Sequence, residues 1–358
     1  MSGLNLYPPP VVNPAYEVDS PITDLTGNQG FQLSLAQQQM LFTSFGSQSS
    51  AYFNFQARVE HFGLPGIGFL SYAYQHTPLG GVNIVFTNPV VSERHLLPLM
   101  KAFLHHHPLP ALFVGVEARV ANCLKQLGFS ATQMGRETSI DLTSFSLSGK
   151  AKKQLRHAAN LHLRSEVEVA ELGWHELNGQ KVCRLSERWR QHKQVKDREL
   201  RLLTRPPVYQ DEWGVRKFYA FHRGELVGFA YFDPYYQEGR LQGYCANIIR
   251  QAPDTNLAGL LDFILLQAAA KFRSEGVPRL SLGIAPMYKV DAEAGDHANI
   301  RRLQQFCYRH ANQLYAFQAL AYHKSRYRGQ ETPWYFCSRD VSAFRAAWAL
   351  FFGTGVLR

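Results

Sequence analysis

Four polar residues interrupt otherwise apolar runs: Asn247 and Arg250 in RLQGYCANIIR, Asp262 in LAGLLDFILLQAAAKFRSEG, and Lys324 in AYHKSRYRGQ. An amide can orient a nucleophile, a guanidinium can hold a phosphate, and a carboxylate can steer or deprotonate. Such groups suit transfer of an activated acyl unit, which needs positioning, one proton removed and a tetrahedral oxyanion stabilised. Each also has a structural reading. Arg250 could instead pair with Asp254 or Asp262. Asp262, between Leu261 and Phe263, is either a buried partner of Arg250 or a solvated carboxylate. Lys324, followed by Arg326 and Arg328, could meet a phosphate or lie in a solvated loop. Strand parity separates Asn247 from Arg250, so a shared site requires a bulge, a twist or a strand end there. Gly283, Ala285 and Pro286 keep the end of a later strand small, as a close ligand or plain packing would. Tyr235, Tyr236 and Tyr244 could stack on an unpaired base, or simply fill the core.

The elements that would position these residues run from Lys217 to Ala285. KFYAFH and ELVGFAYF flank the Arg223-Gly224 turn as a hairpin, and RLQGYCANIIR reads as a third strand. After the loop QAPDTN, the spacing of Leu257, Leu260, Leu261, Ile264 and Leu265 predicts a long helix, and RLSLGI a closing strand. That order resembles the core of the GNAT acyltransferase fold, in which two central strands splay apart to admit an acyl donor. In its CoA-using members the loop before the helix carries Q/R-x-x-G-x-G/A, whose amides hold a pyrophosphate. Here the loop offers Gly259 alone. The resemblance therefore implies a donor other than acyl-CoA, and no cofactor is expected.

The chain has 358 residues, 46% apolar and 13% aromatic, enough for a large core and two domains. Its net charge of +10 suits a polyanionic partner or a merely basic enzyme. The excess is concentrated: 14 Lys or Arg stand against 7 Asp or Glu between Lys150 and Arg205. Within KAKKQLRHAANLHLR, a predicted helix, Lys150, Lys152, Lys153 and Arg156 could track phosphates or form a solvated face. Five scattered cysteines without C-x-x-C read as reduced thiols, and no metal is expected. The three histidines 105–107 read as a helix end, and His157, His162 and His192 as surface residues. No G-x-S-x-G or Walker loop occurs. No apolar run reaches the roughly 18 residues of a spanning helix, so a cytoplasmic protein, or one peripheral to the inner membrane face, is expected.

Residues 1–30, rich in Pro, Asn and Gly, read as an extended arm. An α/β unit follows at 31–141 and a second at 142–340, with the same order of elements. Residues 341–358 form an amphipathic end that either packs on the core or anchors at an anionic membrane.

Taken in order, several segments resemble the catalytic domain of the bacterial phosphatidylglycerol lysyltransferases, the aminoacyl-phosphatidylglycerol synthases. SFGSQSSAYF and TNPV resemble that family's opening strand region and the turn after its second strand. ETSIDLTSFSLSGKAKKQLRHAAN is similar to its D-L-x-x-F-x-L-x-G-K-x-x-x-x-L-R and following helix. LSERWRQHK, NIIR with LLDFIL, LSLGIAPM and AYHKSRYRGQETPWYF follow in register from about Thr43 to Ser338. The resemblance implies a tandem GNAT-like pair that takes an amino acid from aminoacyl-tRNA and esterifies a lipid head group. It makes Asn247, Arg250 and Asp262 the candidate catalytic residues, and Lys324, Gly283, Ala285, Pro286 and Tyr244 candidate substrate contacts. Arg250 or Lys324 would then meet a phosphate of the acceptor or of the tRNA 3′ end, and the basic helix would meet the tRNA. Asn247 stands where the family pattern D-L-M-R has Asp. An amide there can orient a hydroxyl but cannot deprotonate it, which leaves open an acceptor other than phosphatidylglycerol.

Overall fold

Apolar strands alternating with amphipathic helices give two runs of similar order in the computed structural model, which describes residues 32–193, 199–311 and 315–357. The expected arm at 1–30 lies outside the described residues. The first run comprises α1 (Leu35–Phe45), β1 (Glu60–Leu64), β2 (Gly68–Thr77), β3 (Gly80–Phe86), β4 (Val90–Val91), α2 (Glu93–His106), β5 (Ala111–Glu117), α3 (Ala118–Gln126) and β6 (Ser130–Asp141). The second opens with α4 (Lys153–Leu163), β7 (Val167–Glu171) and α5 (Gly179–Gln191), then the meander β8 (Arg216–His222), β9 (Glu225–Gln237) and β10 (Arg240–Gln251). It closes with α6 (Leu260–Ser274), β11 (Arg279–Pro286), α7 (Ala298–His310), α8 (Phe317–Ser325), β12 (Gln330–Ser338) and α9 (Ala343–Gly353).

The strands form one mixed sheet in the order β1-β2-β3-β5-β12-β6-β11-β10-β9-β8-β7, with β4 beside β2. Two pairs are parallel, β3 with β5 and β10 with β11, each joined by a crossing helix. The last strands are exchanged. β12 of the second run pairs with β5 of the first, and β6 of the first pairs with β11 of the second. The repeat is therefore one of element order, and the two halves share a sheet.

Local chemistry explains the hairpin of β8 and β9. Arg223 (φ 51°) and Gly224 (φ 78°) both adopt the left-handed conformation that a two-residue turn between twisted strands requires. Behind β10 the face of α6 is apolar, and Phe263, Ile264 and Phe272 pack on Phe218, Phe232 and Tyr244 in one buried cluster.

Three expectations need correction. SFGSQSSAYF is the end of α1, a turn and a 3₁₀ segment, Ala51–Phe55, instead of a strand. AYHKS lies in α8, so Lys324 is on a helix and not in a solvated loop. His162 is buried, its Nε2 2.9 Å from the Ala258 carbonyl oxygen, and is not a surface residue. The C-terminal helix α9 packs Ala346 and Ala349 into the core while Phe344 stays exposed.

Candidate active site between β10 and β11

The parallel pair β10–β11 is closed for three rungs, Gly243 with Arg279 through Cys245 with Ser281, and then opens. Both strands bulge where they part. On β10 the register against β9 slips between Ala246 and Ile248, which makes Asn247 the extra residue. On β11 it slips between Ser281 and Ile284, with Gly283 at φ 71° in the left-handed region. Bulges redirect side chains. Ala246 and Ile249 pack toward α6, whereas Ile248 packs toward α5 and Arg250 bonds to it. The parity that separated Asn247 from Arg250 is broken, and both line one cavity.

That cavity, about 750 Å³, runs from the split between the strands to the space under α7, α8 and α9. The side-chain Oδ1 of Asn247 accepts from Thr204 Oγ1 at 2.9 Å, while its buried Nδ2 has no partner. A buried donor left open is costly unless something supplies an acceptor. Lys324 enters from α8, almost closed off from solvent, and its Nζ donates to the Ile284 carbonyl at 2.6 Å. Burial pushes its pKa down from 10.5 to about 8, against the opposing pull of Cys245 and Glu137. A Cβ at Gly283 would make ordinary contact with that Nζ at 3.5 Å, so it is the left-handed backbone at φ 71° that favours glycine beside the opened strand.

Arg250 is committed differently from either expectation. It makes no pair with Asp254 or Asp262. Its guanidinium spans Glu199 through bonds of 3.0 and 2.5 Å, bonds Ser186 Oγ, and lies 4.5 Å above the Trp189 ring. Asp254 pairs with Arg188 instead. Asp262 is buried on α6 away from the cavity, bonded by Tyr327 at 2.8 Å and by Arg326, with His323 Nε2 2.9 Å away. Burial alone would raise its pKa. His323, Arg326 and Tyr327 together hold it below the ordinary aspartate range.

Of the remaining candidates, Gly283 and Pro286 line the cavity and Ala285 does not. Tyr244 stacks on Phe272 at 4.5 Å, inside the core behind α6, with Tyr235 and Tyr236 buried too. On the basic segment, Arg156 bonds the carbonyls of Leu147 and Gly149, and Lys152 that of Ser146, while Lys150 and Lys153 are exposed. Sequence reading missed Glu199, Ser186, Trp189 and Thr204. Ser186 and Trp189 lie in LSERWRQHK, a family-like segment on α5, but nothing local says that it reaches this site, and Glu199 and Thr204 arrive only through tertiary packing.

The loop before α6 is packed against α4. Gly259, at φ 80°, caps α6, and a Cβ on it would lie 2.8 Å from Ala158 Cβ of α4. Helix α4 thus closes over the start of α6, and His162 takes up the Ala258 carbonyl there.

A mixed sheet that splays between two parallel strands, flanked by helices, defines a GNAT-like α/β fold. The structure of L-PGS from Bacillus licheniformis superposes with a TM-score of 0.73 at 16% identity, covering 93% of this chain and all of that one. FemX aligns at 0.51 and 10% identity over 86% of this chain and 96% of its own. Phosphatidylglycerol lysyltransferase from Bacillus subtilis is 24% identical over 66% of this chain, and that from Staphylococcus aureus strain COL 25% over 74%. The match spans 27% and 31% of those two proteins. The model of the phosphatidylglycerol lysyltransferase C-terminal region matches residues 40–338, and the chain belongs to that family. Among the described residues no helix is long and apolar enough to cross a membrane.

Proposed function

We propose that this chain moves an amino acid from aminoacyl-tRNA to a hydroxyl or amine acceptor, with a phosphatidylglycerol-type head group the leading case. The observation that carries the reading is the split of β10 from β11 beside a buried, depressed-pKa lysine, with α4 packed where CoA would need its phosphates held. An aminoacyl ester needs no pyrophosphate seat, and the family relatives are named for lysyl transfer to a lipid.

The ester carbonyl would enter the split. Asn247 Nδ2, the open donor, would bond the oxyanion as it forms. The acceptor oxygen attacks the carbonyl carbon, and its proton passes to the neutral Lys324 amine. The ester C–O bond then breaks, and Lys324 returns that proton to the departing ribose oxygen. Arg250, held by Glu199 over Trp189, positions the end of β10. Lys150 and Lys153, with Lys152 and Arg156 behind them, supply a cationic face for the tRNA backbone. The exposed Phe344 of α9 offers an apolar contact at a lipid surface.

The reading is tested by incubating the protein with tRNA charged in turn with each radiolabelled amino acid, plus phosphatidylglycerol vesicles. Label is expected to move into the lipid fraction. Label that stays on the tRNA for every amino acid contradicts the reading, and tight CoA binding by calorimetry would favour acyl-CoA transfer instead.

A further inference from the structure

Whatever amino acid enters the split must lie against the walls of the same cavity, and those walls hold one carboxylate among the described residues, Glu199. It is already spanned by both terminal nitrogens of Arg250. Arg205 is likewise matched, by Glu212 and Asp233. Of the other basic groups on the wall, three meet no carboxylate among the described residues: Arg201 bonds the Gly353 carbonyl, Lys193 lies over the Trp189 ring, and the Lys324 amine bonds the Ile284 carbonyl. Near the split the wall is apolar, with Phe53, Met134, Ile284, Trp334 and Phe336 in one buried cluster.

We infer that the cavity selects a donor amino acid with an uncharged, apolar side chain and rejects lysyl and arginyl donors. This rests on the aminoacyl-donor reading above and departs from the lysine in the relatives' names. A lysyl ammonium would leave water for a wall that, among the described residues, offers no free carboxylate and carries the guanidinium of Arg201, so its desolvation goes uncompensated. An alanyl or leucyl side chain loses nothing polar and gains by burial against Met134, Ile284 and Trp334.

The test uses the whole chain and 3′-aminoacylamino-adenosines, in which an amide replaces the labile ester, carrying alanyl, leucyl, lysyl or glutamyl groups. Titration calorimetry is expected to show the better of the alanyl and leucyl analogues binding on the order of 100-fold more tightly than the lysyl one. A lysyl or glutamyl analogue that binds as well or better overturns this selectivity and leaves the aminoacyl-donor reading standing. No binding by any of the four overturns both.

Discussion

Lys324 Nζ lies 2.6 Å from the carbonyl oxygen of Ile284, beside the point where β10 and β11 part. Burial favours the neutral form of the amine, as the proposed role of a base requires. Lys324→Met should lower the transfer rate by roughly 100-fold or more while leaving the fold intact, the scale on which a general base acts. The wild-type rate should rise with pH toward a plateau above about 8, and the variant's residual rate should lack that rise.

Stability supplies an independent readout of the same lysine. Its folded pKa, about 8, lies below the ordinary 10.5, so between those pH values the unfolded chain binds the extra proton. Stability must then rise with pH across that window, by about 3 kcal/mol from this group, and be penalised by that amount below it. Urea unfolding of the wild type and of Lys324→Met at pH 7.5 and 10 checks this. The wild type should gain more than the variant, and equal gains would mean the lysine is not depressed.

Asn247→Asp tests whether the open donor matters more than a base at that position. Thr204 already serves Oδ1, and the open atom is the amide nitrogen. The aspartate would lose a donor aimed into the cavity and add a buried charge, so turnover should fall at least tenfold, as when an oxyanion donor is lost. Turnover that rises would assign the position to proton removal.

Some of this was legible in the residues alone. The strand-helix-strand core and the tight Arg223-Gly224 hairpin follow from periodicity and turn chemistry, which are local, and the lack of a glycine-rich loop before α6 was read by comparison with the GNAT resemblance. The exchange of β6 and β12 between the halves was not, because no local pattern reports which strands become neighbours. At the site, Asn247 and Lys324 are brought to one cavity, and the bulge that aims Asn247 carries no glycine signature. Asp262 misled because a carboxylate among leucines signals a buried partner without saying which one. Its partners Arg326 and Tyr327 arrive from beyond α8. Glu199 was invisible for the same reason.

The other parallel pair, β3 with β5, stays closed to its end, and Gln48 fills the place where the strands would separate. Its Nε2 donates to the Gly115 carbonyl at 2.7 Å, and its Oε1 accepts from Thr87 Oγ1 and the Asn88 amide, both at 2.5 Å. Gln48→Ala leaves the Gly115 carbonyl and the Asn88 amide unmatched and Thr87 Oγ1 with Ser50 Oγ alone, so unfolding free energy should drop by about 2–4 kcal/mol. Thermal and urea denaturation would register it, and a loss under about 0.5 kcal/mol, typical of an exposed surface position, would deny the plug its role.

Arg250 and Glu199 form a largely buried pair. Arg250→Ala should cost about 3–5 kcal/mol by leaving Glu199 without its partner. In a double-mutant cycle with Glu199→Gln, the two losses should be clearly less than additive. Additive losses would mean that Arg250 acts through Ser186 and Trp189 instead.

The account stands or falls on where the donor lies. A crystal structure with a 3′-aminoacylamino-adenosine should place its carbonyl carbon in the opening between Asn247 and Gly283, with Asn247 Nδ2 within hydrogen-bond reach of the carbonyl oxygen. A structure in which CoA instead sets its diphosphate against Asn256–Gly259, with α4 displaced from Gly259, would contradict it.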